Sequence, residues 1–297
     1  MRIKSCFHIF VVFLPEFDTP HDKGAVAKKI SISALSVAYG LTPEALRYYE
    51  EKGLLTPQRA SSSGFRQFSL NDVQRLGFIK SYQRQGFSLD EIKHILTCCP
   101  QDELIAMMDQ KRAELRDQLT LTRAVYDRMT AGTDLLRDSE RLSMRPRLCQ
   151  GCAAYLVEYS SVGELFSSVH TSPVLKELID AFPLTSYCTL IPLKRLEGCD
   201  VPLPVGVCAP VEYAAAIHAD FSSMRMSAGP RSVRCLFELF TSESRSVMQV
   251  LDLCLSFMQE QGLRPICDGY TRQYAWFADE KEHRRHYAEL IIPVANT

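Results

Sequence analysis

Apolar residues recur along this chain with a regularity that sorts it into elements. Ile32, Leu35 and Tyr39 follow one another at three- and four-residue steps, the spacing that lines one face of a helix. Gly40 then offers a backbone free to turn sharply into Leu41 and Thr42. Thr42 suits the cap of a second helix, Pro43 its first position, and Glu44 the positive end of its dipole. Within that helix Leu46 and Tyr49 read as inward-facing, Gly53 ends it, and Leu54 and Leu55 read as a short buried strand. Two more helices open at Ser69 and Ser88, each with an acid three residues on in the manner of a capping box. Their apolar stripes are Leu70, Val73, Leu76 and Ile79, then Leu89, Ile92 and Leu96.

From Gln101 to Leu142 there is no proline and a single glycine, Gly132, while Met108, Leu115, Thr122, Met129 and Leu136 recur every seventh residue. A helix of that length would run about 60 Å, too long to lie on one small domain. The same helix of a second copy is the expected partner, as an antiparallel coiled coil; packing on the chain's own C-terminal part is the alternative. Beyond Pro146 the pattern becomes strand-like. Ala153 to Tyr159, Tyr187 to Leu193 and Val207 to Phe221 read as strands around a helix from Ser161 to Ala181. The order then repeats: Val233 to Phe240, Cys267 to Phe277 and Tyr287 to Val294 as strands, and Glu243 to Gln261 as a helix with Val247, Val250, Leu251 and Cys254 inward. Two β-α-β-β units in tandem predict a curved antiparallel sheet with both helices on one side, and an α+β fold overall.

Chemistry gathers first around the second helix. Arg47 offers a planar fork of donors suited to guanine edges or phosphate, and Tyr48 a hydroxyl on a rigid arm. After Pro57 and Gln58, Arg59 leads into Ser61, Ser62, Ser63 and Gly64, and the chain returns as Phe65, Arg66, Gln67 and Phe68. A hairpin with Arg59 and Arg66 on its arms reads as a basic wing beside a helix-turn-helix.

LRYYEEKGLL followed by proline, arginine and GFRQF resembles the MerR family of bacterial transcription regulators, over roughly Ile30 to Leu96. The resemblance implies a winged helix-turn-helix that contacts promoter DNA through Thr42, Arg47, Tyr48, Arg59, Gly64, Arg66 and Gln67. It also implies a homodimer on a palindromic duplex site, RNA polymerase as a partner, and activation by bending and untwisting the promoter. Phe68 stands where the family usually has tyrosine, so one phosphate-directed hydroxyl is missing. The C-terminal half resembles the GyrI-like effector-binding domains, with HYAELIIPV as the telling stretch. That likeness implies a pocket acid near Glu289. Beside it, Glu238, Tyr270, Tyr274 and Trp276 are the candidates for holding an aromatic or cationic small molecule by charge pairing and ring-face attraction. Glu158 occupies in the first repeat the place of Glu238 in the second.

Composition bounds these readings. The chain has 297 residues, 46% of them hydrophobic, enough to bury two modest cores. Its net charge is −1, so any electrostatic footprint for DNA is local. Eleven cysteines, an odd number and mostly inside apolar runs, fit reduced core thiols and a cytoplasmic location. Cys98 and Cys99 before the long helix, with Cys149 and Cys152 after it, keep a metal- or redox-sensing regulator open as an alternative. No phosphate-binding glycine loop or triad motif points to an enzyme; hydrolase activity in the C-terminal sheet is a minor alternative resting on fold analogy. No cofactor and no membrane partner are expected. The expected segments are an extension at 1–29, a DNA-binding domain at 30–99, a dimerisation helix at 100–142 and an effector-binding domain at 147–297. For the extension, disorder and an over-extended translation start are both open; its apolar run from Ile9 to Leu14 is too short to span a bilayer.

Overall fold

The computed structural model describes residues 30–60, 64–238, 245–278 and 284–297. Expectations for residues 1–29 and for the serines at 61–63 lie outside them. The chain divides into two compact units, one ending at Ala113 and the other running from Glu114 to Thr297.

In the first unit β1 (Ile30–Ser31) leads into α1 (Ile32–Tyr39) and α2 (Pro43–Glu51), followed by β2 (Gln58–Arg59), β3 (Arg66–Phe68), α3 (Leu70–Arg84) and α4 (Leu89–Thr97). Local signals place these helices. Ser31, Thr42, Ser69 and Ser88 each accept a main-chain N–H at their helix start, and the last two form complete capping boxes with Asp72 and Glu91. Gly40 takes the left-handed conformation at φ 59° and closes α1. The helices bury Leu35, Leu46, Tyr49, Leu76, Ile79 and Ile92 together with Phe68. Leu54 and Leu55 are buried as expected but form no strand: their N–H groups bond back to the Tyr49 carbonyl, finishing the end of α2. β3 pairs with both β1 and β2, so the wing is the edge of a three-stranded sheet.

The long helix α5 (Gln101–Arg137) runs across the boundary between the units, and a short α6 (Ser139–Leu142) takes up the remainder of the expected span. In the second unit β4 (Arg147–Tyr159), α7 (Val162–Ser168), α8 (Pro173–Asp180), β5 (Ser186–Ile191), α9 (Leu193–Leu196) and β6 (Val205–Pro210) form the first half. The second half is β7 (Arg225–Glu238), α10 (Arg245–Glu260), β8 (Leu263–Pro265), β9 (Gly269–Ala278) and β10 (Arg284–Asn296).

Three expectations need correction. The single helix from Ser161 to Ala181 is two, because Pro173 cannot continue α7 and instead starts α8 under a Ser172 cap. The strand from Val207 stops at Pro210, and Val211–Ala216 is a 3-10 helix. The sheet is also not an open curve. Its order β7-β4-β6-β5-β9-β10 returns on itself through antiparallel pairing of β7 with β10, which closes a barrel and leaves β8 attached outside on β10. Closure removes the edges that an open antiparallel sheet would expose. Outside the barrel, α10 covers Val233, Cys235, Phe237, Ala288, Leu290 and Ile292. Alternation along the strands sends Tyr270, Ile291, Cys188, Cys208, Ala154 and Leu156 to a separate cluster on the other side. None of the helices among the described residues is long and apolar enough to cross a membrane.

Candidate functional site

On α2 the side chains split as its period demands. Leu46 and Tyr49 are buried, and Arg47 and Tyr48 are exposed. Thr42 is engaged as the cap, its Oγ1 accepting the Ala45 N–H at 3.2 Å. Arg47 pairs with Glu44 at 3.3 Å, and both are solvent-facing, so this pair holds it weakly. Lys52 lies 5.5 Å from the centre of the Tyr48 ring, adding a second cation beside Arg47.

The wing is tied to this helix by a residue that the sequence pattern did not single out. Glu50, near the end of α2, pairs with Arg66 and lies 3.8 Å from Arg59, and Arg59 and Arg66 face each other across β2 and β3. One carboxylate thus aligns both wing arginines with α2. Gly64 takes φ 69° at the turn, where a side chain would be strained. Gln67 lies on the middle strand between Ser31 and Gln58, with its Oε1 buried and unbonded among the described residues. Phe68 is 1% exposed in the core, so its position offers no hydroxyl to solvent. Arg75 and Lys80 spend their charge on main-chain oxygens of Leu54 and Tyr39. They count towards the composition of this unit but serve its packing.

In the second unit the expected effector residues separate. Trp276 is 67% exposed with its ring tilted 33° to that of His286 at 6.4 Å, whereas Tyr270 is sunk in the apolar cluster inside the barrel. Glu238 is held by Arg285 in a two-pronged pair at 2.7 and 2.8 Å, and Glu158 by Arg225 at 2.7 Å. Glu289 is 1% exposed, pairs with Arg147, lies 4.0 Å from Arg234 and accepts the Tyr274 hydroxyl at 3.1 Å. A carboxylate with these neighbours is already neutralised, so the expected free acid among three aromatic rings is absent. Of the three rings, only Tyr274 touches Glu289.

The face of Tyr274 is occupied too. Arg128 of α5 lies 4.4 Å and Arg272 of β9 5.3 Å from its ring centre. Arg128 donates to the carbonyls of Pro183 and Gln273 and meets no carboxylate among the described residues. Burial, reinforced by the Arg272 charge, pushes its pKa below that of an ordinary arginine. Tyr274 moves up, through burial and the Glu289 charge. The alternation Tyr270, Arg272, Tyr274 places all three on one side of β9, and this was the available signal for Arg272. Arg128, Arg147 and Arg234 carried none, since they arrive from other elements.

The cysteines also divide. His94, Cys99 and Glu103 bring three potential ligand atoms within 4.8 Å of one another at the junction of α4 and α5. Among the described residues Cys149 and Cys152 belong to no such group; they sit in β4, with Cys152 packed against the interior apolar cluster.

A capped second helix, a glycine-turned wing and alternating buried and exposed positions define a helix-turn-helix regulator. The model of the MerR HTH family regulatory proteins matches residues 30–98, and that of the MerR DNA-binding region matches residues 73–131. An uncharacterized HTH-type transcriptional regulator of Pseudomonas aeruginosa is 39% identical over 99 residues, covering 33% of this chain and 74% of that protein. The mercuric resistance operon regulatory protein of Bacillus cereus is 32% identical over 116 residues, 39% of this chain and 81% of its own. The chain belongs to the MerR family and is a DNA-binding transcription regulator. A cryo-EM structure of an EcmrR–DNA complex covers 90% of this chain and 100% of its own at 15% identity, with a TM-score of 0.35, too low to carry weight.

Proposed function

We propose that this regulator works as a homodimer on a palindromic promoter site and activates by distorting the duplex for RNA polymerase when a small-molecule effector occupies the second unit. The observation that carries the reading is the joint presentation of Arg47 and Tyr48 on α2 with Arg59 and Arg66 on the wing, aligned by Glu50. Base edges would be read by Arg47, and phosphates flanking the groove would be held by the wing. Met108, Leu115, Tyr126 and Met129 of α5 are exposed, an apolar stripe that an antiparallel coiled coil with a second copy would cover. Bending a site of this size costs on the order of 1–6 kcal/mol, which added phosphate contacts can offset. The second unit would be a GyrI-like effector module.

The reading is tested with operators selected from a random duplex library. Arg47→Ala is expected to weaken binding and alter base preference. Arg66→Ala should weaken all sequences alike and lower the salt slope by about one. Wild-type binding by either variant would refute its assignment.

A second reading is metal sensing, favoured by the His94, Cys99 and Glu103 cluster. Zinc titration of the metal-free protein decides it: stoichiometric binding lost in Cys99→Ser supports the reading, and no binding removes it.

A further inference from the structure

The interior charge of the second unit is unbalanced. Arg128, Arg147, Arg234 and Arg272 converge on Tyr274 and Glu289, while the acids in contact with this group are Glu289 and Glu212. Arg128 and Arg272 are buried and Arg147 and Arg234 half-buried; holding guanidinium groups there without matching carboxylates is costly, and a further positive charge would raise that cost. A lipophilic cation is therefore a poor occupant.

Arg272 shows where an anion would go. It is 6% exposed, and its Nη2 donates to Glu212 Oε1 at 3.0 Å and to the Tyr213 hydroxyl at 3.4 Å, while the adjacent Nε has no partner among the described residues. Nε and Nη2 form the edge of a guanidinium that takes both oxygens of one carboxylate, and here that edge is half used. Glu212 itself is more than half exposed, on the short 3-10 helix after β6, so it can swing into water at little cost. Glu212 and Tyr213 also line a cavity of about 500 Å³ between that helix and α5; its other walls are the apolar Leu119, Ala124, Ala215 and Ala216 together with Thr120 and the Arg123–Asp127 ion pair, and Arg272 stands behind Glu212 rather than in the wall. Its volume lies in the range of small-molecule sites.

We infer that this cavity binds a small carboxylate with an apolar body, its two oxygens displacing Glu212 from the Nε–Nη2 edge of Arg272 and its body resting on Leu119 and the alanines. This rests on the reading of the second unit as an effector module and specifies its ligand class. Glu212 acts as an internal stand-in for the ligand carboxylate. Arg128, one residue beyond the cavity-lining Asp127 on α5, adds a positive charge that no carboxylate among the described residues pairs.

The test is calorimetric titration of the full chain with benzoate, acetate and tetraphenylphosphonium. Benzoate is expected to bind, acetate to bind more weakly for want of the apolar body, and tetraphenylphosphonium not to bind. Glu212→Gln, which takes the charged partner from the buried Arg272 and is checked for folding by circular dichroism, should tighten benzoate by removing the competitor. Arg272→Gln, checked for folding by circular dichroism, should weaken it by about tenfold or more, the loss of charge-assisted hydrogen bonds. Absence of benzoate binding in both wild type and Glu212→Gln would overturn the inference, as would binding of the cation alone, acetate binding as tightly as benzoate, or equal benzoate affinity in wild type and Glu212→Gln. Binding to the selected operator is measured on the same samples. Operator binding without benzoate binding defeats this inference alone; loss of operator binding defeats the regulatory reading.

Discussion

The two units treat charge in opposite ways. In the first, the interior is apolar apart from Asp72, whose carboxylate completes a capping box, and the arginines with chemistry to offer are on the outside. In the second, a glutamate and arginines are drawn inside a closed barrel and bonded to one another. A surface that must meet a polyanionic duplex needs exposed donors on a firm support. A site for a small molecule gains from charges that water cannot screen. The same residue type therefore has different worth in the two places: Arg47 contributes little to stability, whereas Arg147 and Glu289 hold each other in the barrel.

Disrupting the interior pair should have the largest effect. Glu289→Gln leaves Arg147 and Arg234 without their buried carboxylate and is expected to destabilise the barrel by about 3–5 kcal/mol. Hydrogen exchange would show opening of residues 114–297 with residues 30–113 unchanged; equal protection in both proteins would contradict the inside-charge description. Leu46→Ala makes the converse cut. It removes a fully buried side chain from the first unit and should cost about 2–5 kcal/mol there, read from exchange confined to residues 30–113. Ser69→Ala, which breaks the capping box at α3, should lower the melting point of the first unit by the equivalent of about 0.5–2 kcal/mol.

The smallest effect is one of pH. Bonds from the Ser88 main chain and side chain, followed by the Lys111 charge, hold Glu91 below the ordinary glutamate range. A carboxylate lowered on folding contributes stability that is complete above its unfolded value, ~4.3, and lost as pH falls through the folded one. Glu91→Gln should accordingly flatten the acid limb of the first unit's stability, checked by denaturant melts between neutral pH and that limb. An unchanged acid limb would show that the α4 cap is not what titrates.

Legibility followed the same division. The caps at Thr42, Ser69 and Ser88 and the stripes on α3 and α4 were readable because each is an interaction within one turn of helix. Glu50 was missed because it lies inside LRYYEEKGLL as one of two adjacent acids, and only the returning wing selects it over Glu51. In the barrel, period-two alternation identified the strands and showed which residues share a side. It does not reveal which end of β9 stays covered: Trp276 lies where the strand runs out into solvent, whereas Arg272 lies inside the barrel.

What the sequence by itself determined is the capped helices of the first unit, most strands of the second and the DNA-binding class, since capping, helical periodicity and the order of helix, turn and wing act over short stretches. Only the tertiary structure decided the charge state of the second unit. Arg147 meets Glu289 across 142 residues and Arg128 meets Gln273 across 145, and β7 reaches β10 only when the sheet closes. Contacts at that separation depend on how strands are ordered around the barrel, and periodicity within any one strand carries no information about its neighbours.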